Sequence, residues 1–157
     1  MAEDKATIVV LSGDMDKVFA AFIIATGAAA AGMDTTLFFT FWGLNAIRKE
    51  NLTGKGLMGK MVGLLNRGGI NRLGPSKFNF WGMGRWMFKK MMRDKGVTAL
   101  DDLRQTAIDL DVHLLACKMS MDVMEIDRED LIDEVEDVAG VATMIKEAAN
   151  SKIQMFI

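Results

Sequence analysis

One cysteine, one histidine, one proline and no tyrosine occur among the 157 residues. A single Cys excludes an intramolecular disulfide framework and any Cys-rich zinc or iron–sulfur site. A single His excludes a multi-histidine metal centre and leaves little from which to build a His-based triad. No metal site and no cofactor are expected. Long apolar spans are lacking too: the uncharged stretch 18–33 falls short of the roughly 20 residues that cross a bilayer, and reads as a core helix. The opening MAEDKATIVV is acidic where a secretory leader would be basic, with no small-residue cleavage site behind an apolar core. A reduced, cytoplasmic protein is the expectation, with association at the inner membrane surface left open.

What is present is half hydrophobic and a quarter charged, which excludes a disordered chain. The net charge of −2 conceals three blocks: residues 1–47 carry −3, residues 48–98 carry +10 and residues 99–157 carry −9. The pI is therefore a poor guide to partners, because a basic middle third sits between two acidic ones.

Residues 6–11 (ATIVVL), 35–40 (TTLFFT) and 112–117 (VHLLAC) are continuous apolar runs of the kind buried on both faces of a parallel sheet. A helix ending near Gly32, a plausible C′ position, joins the first two into a βαβ unit. Thr98 to Asp101 reads as a capping box opening a further helix. Ser120 is expected to start a short helix, residues 135–138 a fourth strand, 139–149 a helix and 153–157 a closing strand. The expected architecture is a single α/β domain over 1–157, flavodoxin-like, with a mostly parallel sheet of four or five strands. Residues 51–96, rich in Gly, Met, Trp and basic side chains, form an insertion within it.

The chemistry centres on Cys117, at the carboxyl end of a predicted strand and just before a predicted helix, where open parallel sheets bind ligands. Helix N-terminal amides and Lys118 would both favour a thiolate there, and sulfur is the only strong soft nucleophile in the chain. Position alone leaves this reading level with a buried, inert Cys. Met119, Met121 and Met124 could wall an apolar, polarizable pocket around it, although core filling is the ordinary role of Met. Ser12, Gly13 and Asp14, at the end of the first strand, could line the same crevice or simply cap the helix that follows. His113 lies on the same strand face but about 13 Å away at ~3.3 Å per residue, too far to couple with the thiol, and is taken as structural. Gly54 to Gly59 matches G-x-G-x-x-G without the preceding strand or the acidic residue ~20 positions on, so nucleotide binding is discounted.

The run LACKMSMDVM at 115–124 resembles the active-site segment of the DsrE/DsrF/DsrH-like family, in particular the branch with a long insertion after the second strand. The openings IVVLSGDMDKV and LFFTFWGL, the Met/Gly/basic insertion and the ending VEDVAGVATMIKEA extend the resemblance over the full chain. It implies a three-layer α/β/α fold, homo-oligomers, and Cys117 as a sulfurtransferase-like persulfide carrier, with Lys118, Met119, Ser120 and Met121 about it. It also implies exchange of sulfur with a carrier protein of TusA type or with a rhodanese. With no second Cys, a persulfide on Cys117 cannot close an intrachain disulfide, so the sulfur must leave to an external thiol. The competing reading is a non-catalytic binding or membrane-peripheral adaptor whose Cys is incidental.

Within the insertion, Leu57, Met58, Met61, Val62, Leu64 and Leu65 share one helical arc. Phe80, Trp81, Met83, Met87, Phe88, Met91 and Met92 form a second apolar face, with Arg85, Lys89, Lys90 and Arg93 opposite, and Trp81, Arg85, Trp86, Lys89, Lys90 and Arg93 are the expected membrane or partner surface. Such faces can fold over the domain, pair between subunits, lie on an anionic membrane or enter a partner groove. Nucleic acid is not expected, because the aromatics sit on the apolar side rather than interleaved with the charges. The run 122–137, with nine carboxylates and one Arg, reads as a solvated face or a docking surface for a basic partner.

Overall fold

A computed structural model describes residues 3–157; Met1 and Ala2, which begin the acidic opening, lie outside the described residues. The order is β1 (Glu3–Val10), α1 (Met15–Ala30), β2 (Asp34–Phe39) and a 3-10 segment, Phe41–Ile47. The insertion follows with α2 (Leu57–Leu65), short 3-10 turns at Ile70–Arg72 and Phe80–Gly82, and α3 (Met83–Asp94). Then come α4 (Leu100–Asp109), β3 (His113–Cys117), α5 (Lys118–Val123), β4 (Asp137–Ala139), α6 (Val141–Asn150) and β5 (Ser151–Phe156).

The five strands form one parallel sheet in the order β4-β3-β2-β1-β5. Alternation sends Ile8, Val10, Leu37, Phe39, Leu114 and Ala116 into the larger core, together with Val18, Phe22 and Ala25 of α1 and Ala107 of α4. Val9, Phe38, Leu115 and Cys117 point the other way, where Met144 of α6 covers them. Both faces are covered, which is why these strands read as unbroken apolar runs. The result is the expected three-layer α/β/α fold.

Helix α1 ends in a Schellman motif: Met33 N–H reaches the Ala28 carbonyl at 3.0 Å and Gly32 N–H that of Ala29 at 2.9 Å. Gly32 sits at φ +84°, the left-handed conformation that favours glycine. Three expectations need correction. The capping box at Thr98 does not form: Ala99 is the N-cap, no side chain caps it, and Asp101 accepts instead from Asn71. The fourth strand runs Asp137–Ala139 rather than 135–138, because Val135 is drawn into the core ahead of it. The helix expected from Ser120 begins at Lys118.

The insertion attaches to the carboxyl-end side of the domain. Helix α2 lies close because Gly63 faces inward; a Cβ there would sit 2.0 Å from the Thr53 carbonyl oxygen. The chain leading into it is pinned by Arg48, 1% exposed, whose guanidinium donates to Asn45 Oδ1 (2.9 Å), the Asn66 carbonyl (3.1 Å) and Thr53 Oγ1 (2.8 Å).

Candidate functional site

Cys117 is both the last residue of β3 and the N-cap of α5. The earlier helix start matters chemically. It turns the backbone N–H groups of Met119 and Ser120 toward the sulfur, as the first amides of a helix point out of its N-terminus. Burial pushes the thiol up, but hydrogen bonds from the Ser120 hydroxyl, the Ser120 N–H, the Thr40 hydroxyl and the Met119 N–H outweigh it and hold the thiol below its ordinary value. Thr40 stands just past the end of β2, the neighbouring strand, and its Oγ1 lies 2.6 Å from Ser120 Oγ. Each hydroxyl has one proton. While that bond exists, one hydroxyl is spent on the other and only one can donate to Sγ; the two form a shared donor rather than two independent ones.

The sulfur's other side is apolar, packed with Val9, Phe38, Leu115, Ala139 and Met144, and the residue is 6% exposed. This arrangement differs from a thiol in hydrocarbon alone, because the donors are aimed at it. It is nevertheless a covered position.

The remaining expected site residues divide. Ser120, fully buried, is at the sulfur. Lys118 is not: its Nζ pairs with Asp122 one turn on, and the amides rather than this cation stabilise the thiolate. Met119 is 62% exposed, while Met121 and Met124 are buried in the larger core on the opposite side of the sheet. A methionine pocket around Cys117 is therefore not assembled. Ser12, Gly13 and Asp14 line a different opening, a cleft of about 440 Å³ shared with Lys17, Trp42 and Asn45. It lies at the end of β1, two strands from β3, or roughly 10 Å at ~4.8 Å per strand. Asp14 is the N-cap of α1 but makes no cap bond; its carboxylate takes the Ser12 hydroxyl at 3.1 Å and Lys17 Nζ at 3.0 Å. Thr40 was missed in the sequence. Its signal was its place as the last polar residue of TTLFFT, at the same sheet edge as Cys117.

His113 is a strut: Nδ1 lies 2.7 Å from Glu136 Oε1 and Nε2 3.0 Å from Asp34 Oδ1. In the insertion, Arg85 and Lys89 turn inward, donating to the carbonyls of Arg72 (2.6 Å) and Asn71 (2.8 Å). Lys90 pairs with Asp94 at 2.8 Å, Arg93 is exposed, and Trp81 and Trp86 face solvent. The opposed faces expected of this helix are thus partly inverted: Arg85 and Lys89 are tucked beneath and Met83, Met87 and Met91 lie outside, while Phe88 packs against the core.

The acidic run meets the chain's own insertion and the residues leading into it. Glu125 accepts from the N–H groups of Lys55 and Gly56, Lys55 pairs with Asp127 (2.9 Å), and Lys49 with Asp133 (3.0 Å).

Comparison with known proteins agrees with this architecture. The DsrE/DsrF/DrsH-like family matches residues 2–156. The chain is 43% identical to the uncharacterized protein YrkE of Bacillus subtilis, over 98% of this chain and 96% of that one. It is 31% identical to the sulfur carrier protein DsrE2 of Allochromatium vinosum over the whole of both. Among solved structures, ychN from E. coli superposes with a TM-score of 0.55 at 11% identity, covering 98% and 99% of the two chains. MTH1491 from Methanobacterium thermoautotrophicum gives 0.52 at 12%, covering 98% of each. Those two likenesses concern the fold. On the sequence match across its length, the chain belongs to the DsrE/DsrF/DrsH-like family.

Proposed function

We propose that this protein is a sulfur-relay carrier that holds sulfane sulfur as a persulfide on Cys117 and passes it to partner thiols. The observation that carries the reading is the donor set around Sγ, which favours the thiolate in spite of burial. A deprotonated sulfur is the nucleophile in such exchange. In loading, the Cys117 thiolate attacks the outer sulfur of a donor persulfide R–S–SH; the new S–S bond forms as the old one breaks, and the donor leaves as the thiolate R–S⁻. Delivery is the same displacement on the outer sulfur by an acceptor thiolate, returning Cys117 as thiolate. No external oxidant or reductant enters either step. The amides of Met119 and Ser120 and the shared Thr40–Ser120 donor would hold the returning thiolate, and the apolar wall of Val9, Phe38 and Ala139 would slow water from reaching the sulfane sulfur.

The family resemblance favours a carrier protein of TusA type or a rhodanese as the partner, and a homo-oligomer as the working form in the cytoplasm. The test is transfer. Protein loaded with a persulfide donor, freed of donor and mixed with such a carrier should lose one sulfur atom, about 32 Da, as the carrier gains it. Loaded protein that keeps its sulfur in the presence of every carrier thiol tried would leave the adaptor reading standing.

A further inference from the structure

The insertion carries a surface that the sulfur chemistry does not use. Leu57, Met58, Met61, Leu64 and Leu65 of α2 are 48–87% exposed, because Gly59 and Gly63 occupy the inward side of that helix. On α3 the same inversion exposes Met83, Trp86, Met87 and Met91. Between the helices Phe78, Phe80 and Trp81 all adopt positive φ (59°, 33° and 59°), a conformation uncommon for bulky residues, and all three are exposed. Trp81, at 106%, touches little beyond its own backbone. Among the described residues, twelve of the twenty-four exposed large apolar side chains lie within 57–91, under a quarter of the chain. Monomeric surfaces rarely concentrate apolar residues in this way without a use for them.

The charges around this crown say what covers it. Residues 55–95 hold ten Lys or Arg against one carboxylate. Lys60, Arg67, Lys77, Arg93 and Lys95 are exposed and make no ion pair among the described residues. In the acidic run, Glu125, Asp127 and Asp133 are already engaged by the 55–56 amides, Lys55 and Lys49 of their own chain, which leaves fewer carboxylates to meet the cations of a second copy. A protruding aromatic tip flanked by unpaired cations suits a deformable apolar medium with anionic groups at its edge. Trp and Phe settle at the headgroup level, and Lys and Arg meet the phosphates and carboxylates above.

We infer that the crown formed by α3 and the adjoining 78–81 tip, with the exposed face of α2 as a second apolar contact, is a peripheral membrane-docking surface that seats the protein on an anionic bilayer. No helix of the described residues is long and apolar enough to cross a membrane, so the contact is one of lying on the surface. It brings the carboxyl-end side of the sheet, on which Cys117 stands, near the lipid. Docking needs neither the thiol nor its persulfide.

The experiment is flotation of the full chain with vesicles of phosphatidylcholine alone or with about 30% phosphatidylserine, at ~0.1 M and ~0.5 M salt. Wild type and Cys117→Ser should both float with the anionic vesicles at low salt, and at least about tenfold less with neutral vesicles or at high salt. The double variant Phe80→Ser/Trp81→Ser, confined to exposed positions, should lose flotation while keeping the wild-type melting temperature. Lys60→Glu/Lys77→Glu should weaken it by at least about tenfold. Wild type remaining at the bottom with anionic vesicles, or the tip variant floating as wild type does, overturns the inference. A fall in sedimentation mass of the tip variant without any lipid binding by wild type would assign the crown to contact between copies instead.

Discussion

Removing the hydroxyls beside Cys117 should reveal that they act as one donor. Thr40 and Ser120 lie 2.6 Å apart and both reach the sulfur, yet each has a single proton. In Thr40→Val, the Ser120 proton is released from competition and still points at Sγ; in Ser120→Ala, the Thr40 proton takes its place. Either single change should therefore slow thiolate-dependent alkylation by no more than about threefold at neutral pH. The double variant leaves the backbone amides alone. A hydrogen bond to a charged group contributes about 1.5–3 kcal/mol, so its loss shifts the thiol–thiolate equilibrium by about tenfold or more toward the thiol. The assay is the second-order rate of iodoacetamide modification against pH, with melting temperatures recorded because Ser120 is fully buried. Multiplicative single effects of about tenfold each would show two independent donors. A double variant with the wild-type profile would show that the hydroxyls do not tune the thiol at all. Either outcome refutes the shared-donor argument.

Three further outcomes follow from packing and charge. Burial lowers the His113 value, but Glu136 and Asp34 outweigh it, so the folded value stands above the ordinary imidazole value of about 6.5. The stabilisation is then fully present below that value and is lost as pH rises through the raised one. His113→Gln should accordingly lower the melting temperature more near pH 5.5 than near pH 9, and an equal loss at both would contradict the clamp. Arg48→Met removes the donor that joins Asn45, Asn66 and Thr53, and should cost on the order of 3 kcal/mol in urea unfolding; a loss under about 1 kcal/mol would show those acceptors to be satisfied otherwise. Gly63→Ala drives a methyl against the Thr53 carbonyl and should destabilise by roughly 1–3 kcal/mol, read in the same way, whereas a neutral result would mean that α2 is not held by close approach.

The sheet was legible because its strands announce themselves. Ile8 to Val10, Leu37 to Phe39 and Leu114 to Cys117 are each buried on both faces, and runs this short and apolar, the first two rich in β-branched or aromatic residues, are what a covered parallel strand requires. Gly32 marked the end of α1 by the same directness. The site was only half legible. Cys117 at the carboxyl end of its strand could be found from position and from the resemblance. Among its donors, the helix-terminal amides and Ser120 were within reach of the sequence, but Thr40 was not, since it arrives from another strand through the pairing of β2 with β3. Lys118 was misplaced because sequence adjacency ignores the i,i+4 partner, Asp122, that a helix supplies. Met121 and Met124 went to the opposite core because the chain turns at Cys117 into a helix whose inward stripe faces away from the sulfur. The insertion was hardest to read: its amphipathic period was visible, but glycines on the inner face reversed the usual inference that the apolar side is the buried side.

Intact mass after incubation with a persulfide donor reads the loading of Cys117 itself. An adduct of one sulfur, about 32 Da, should appear on the wild type, be removed by a thiol reductant and be absent from Cys117→Ser. A wild-type chain that gains no mass under conditions where a free low-molecular-weight thiol is converted to its persulfide would contradict this loading.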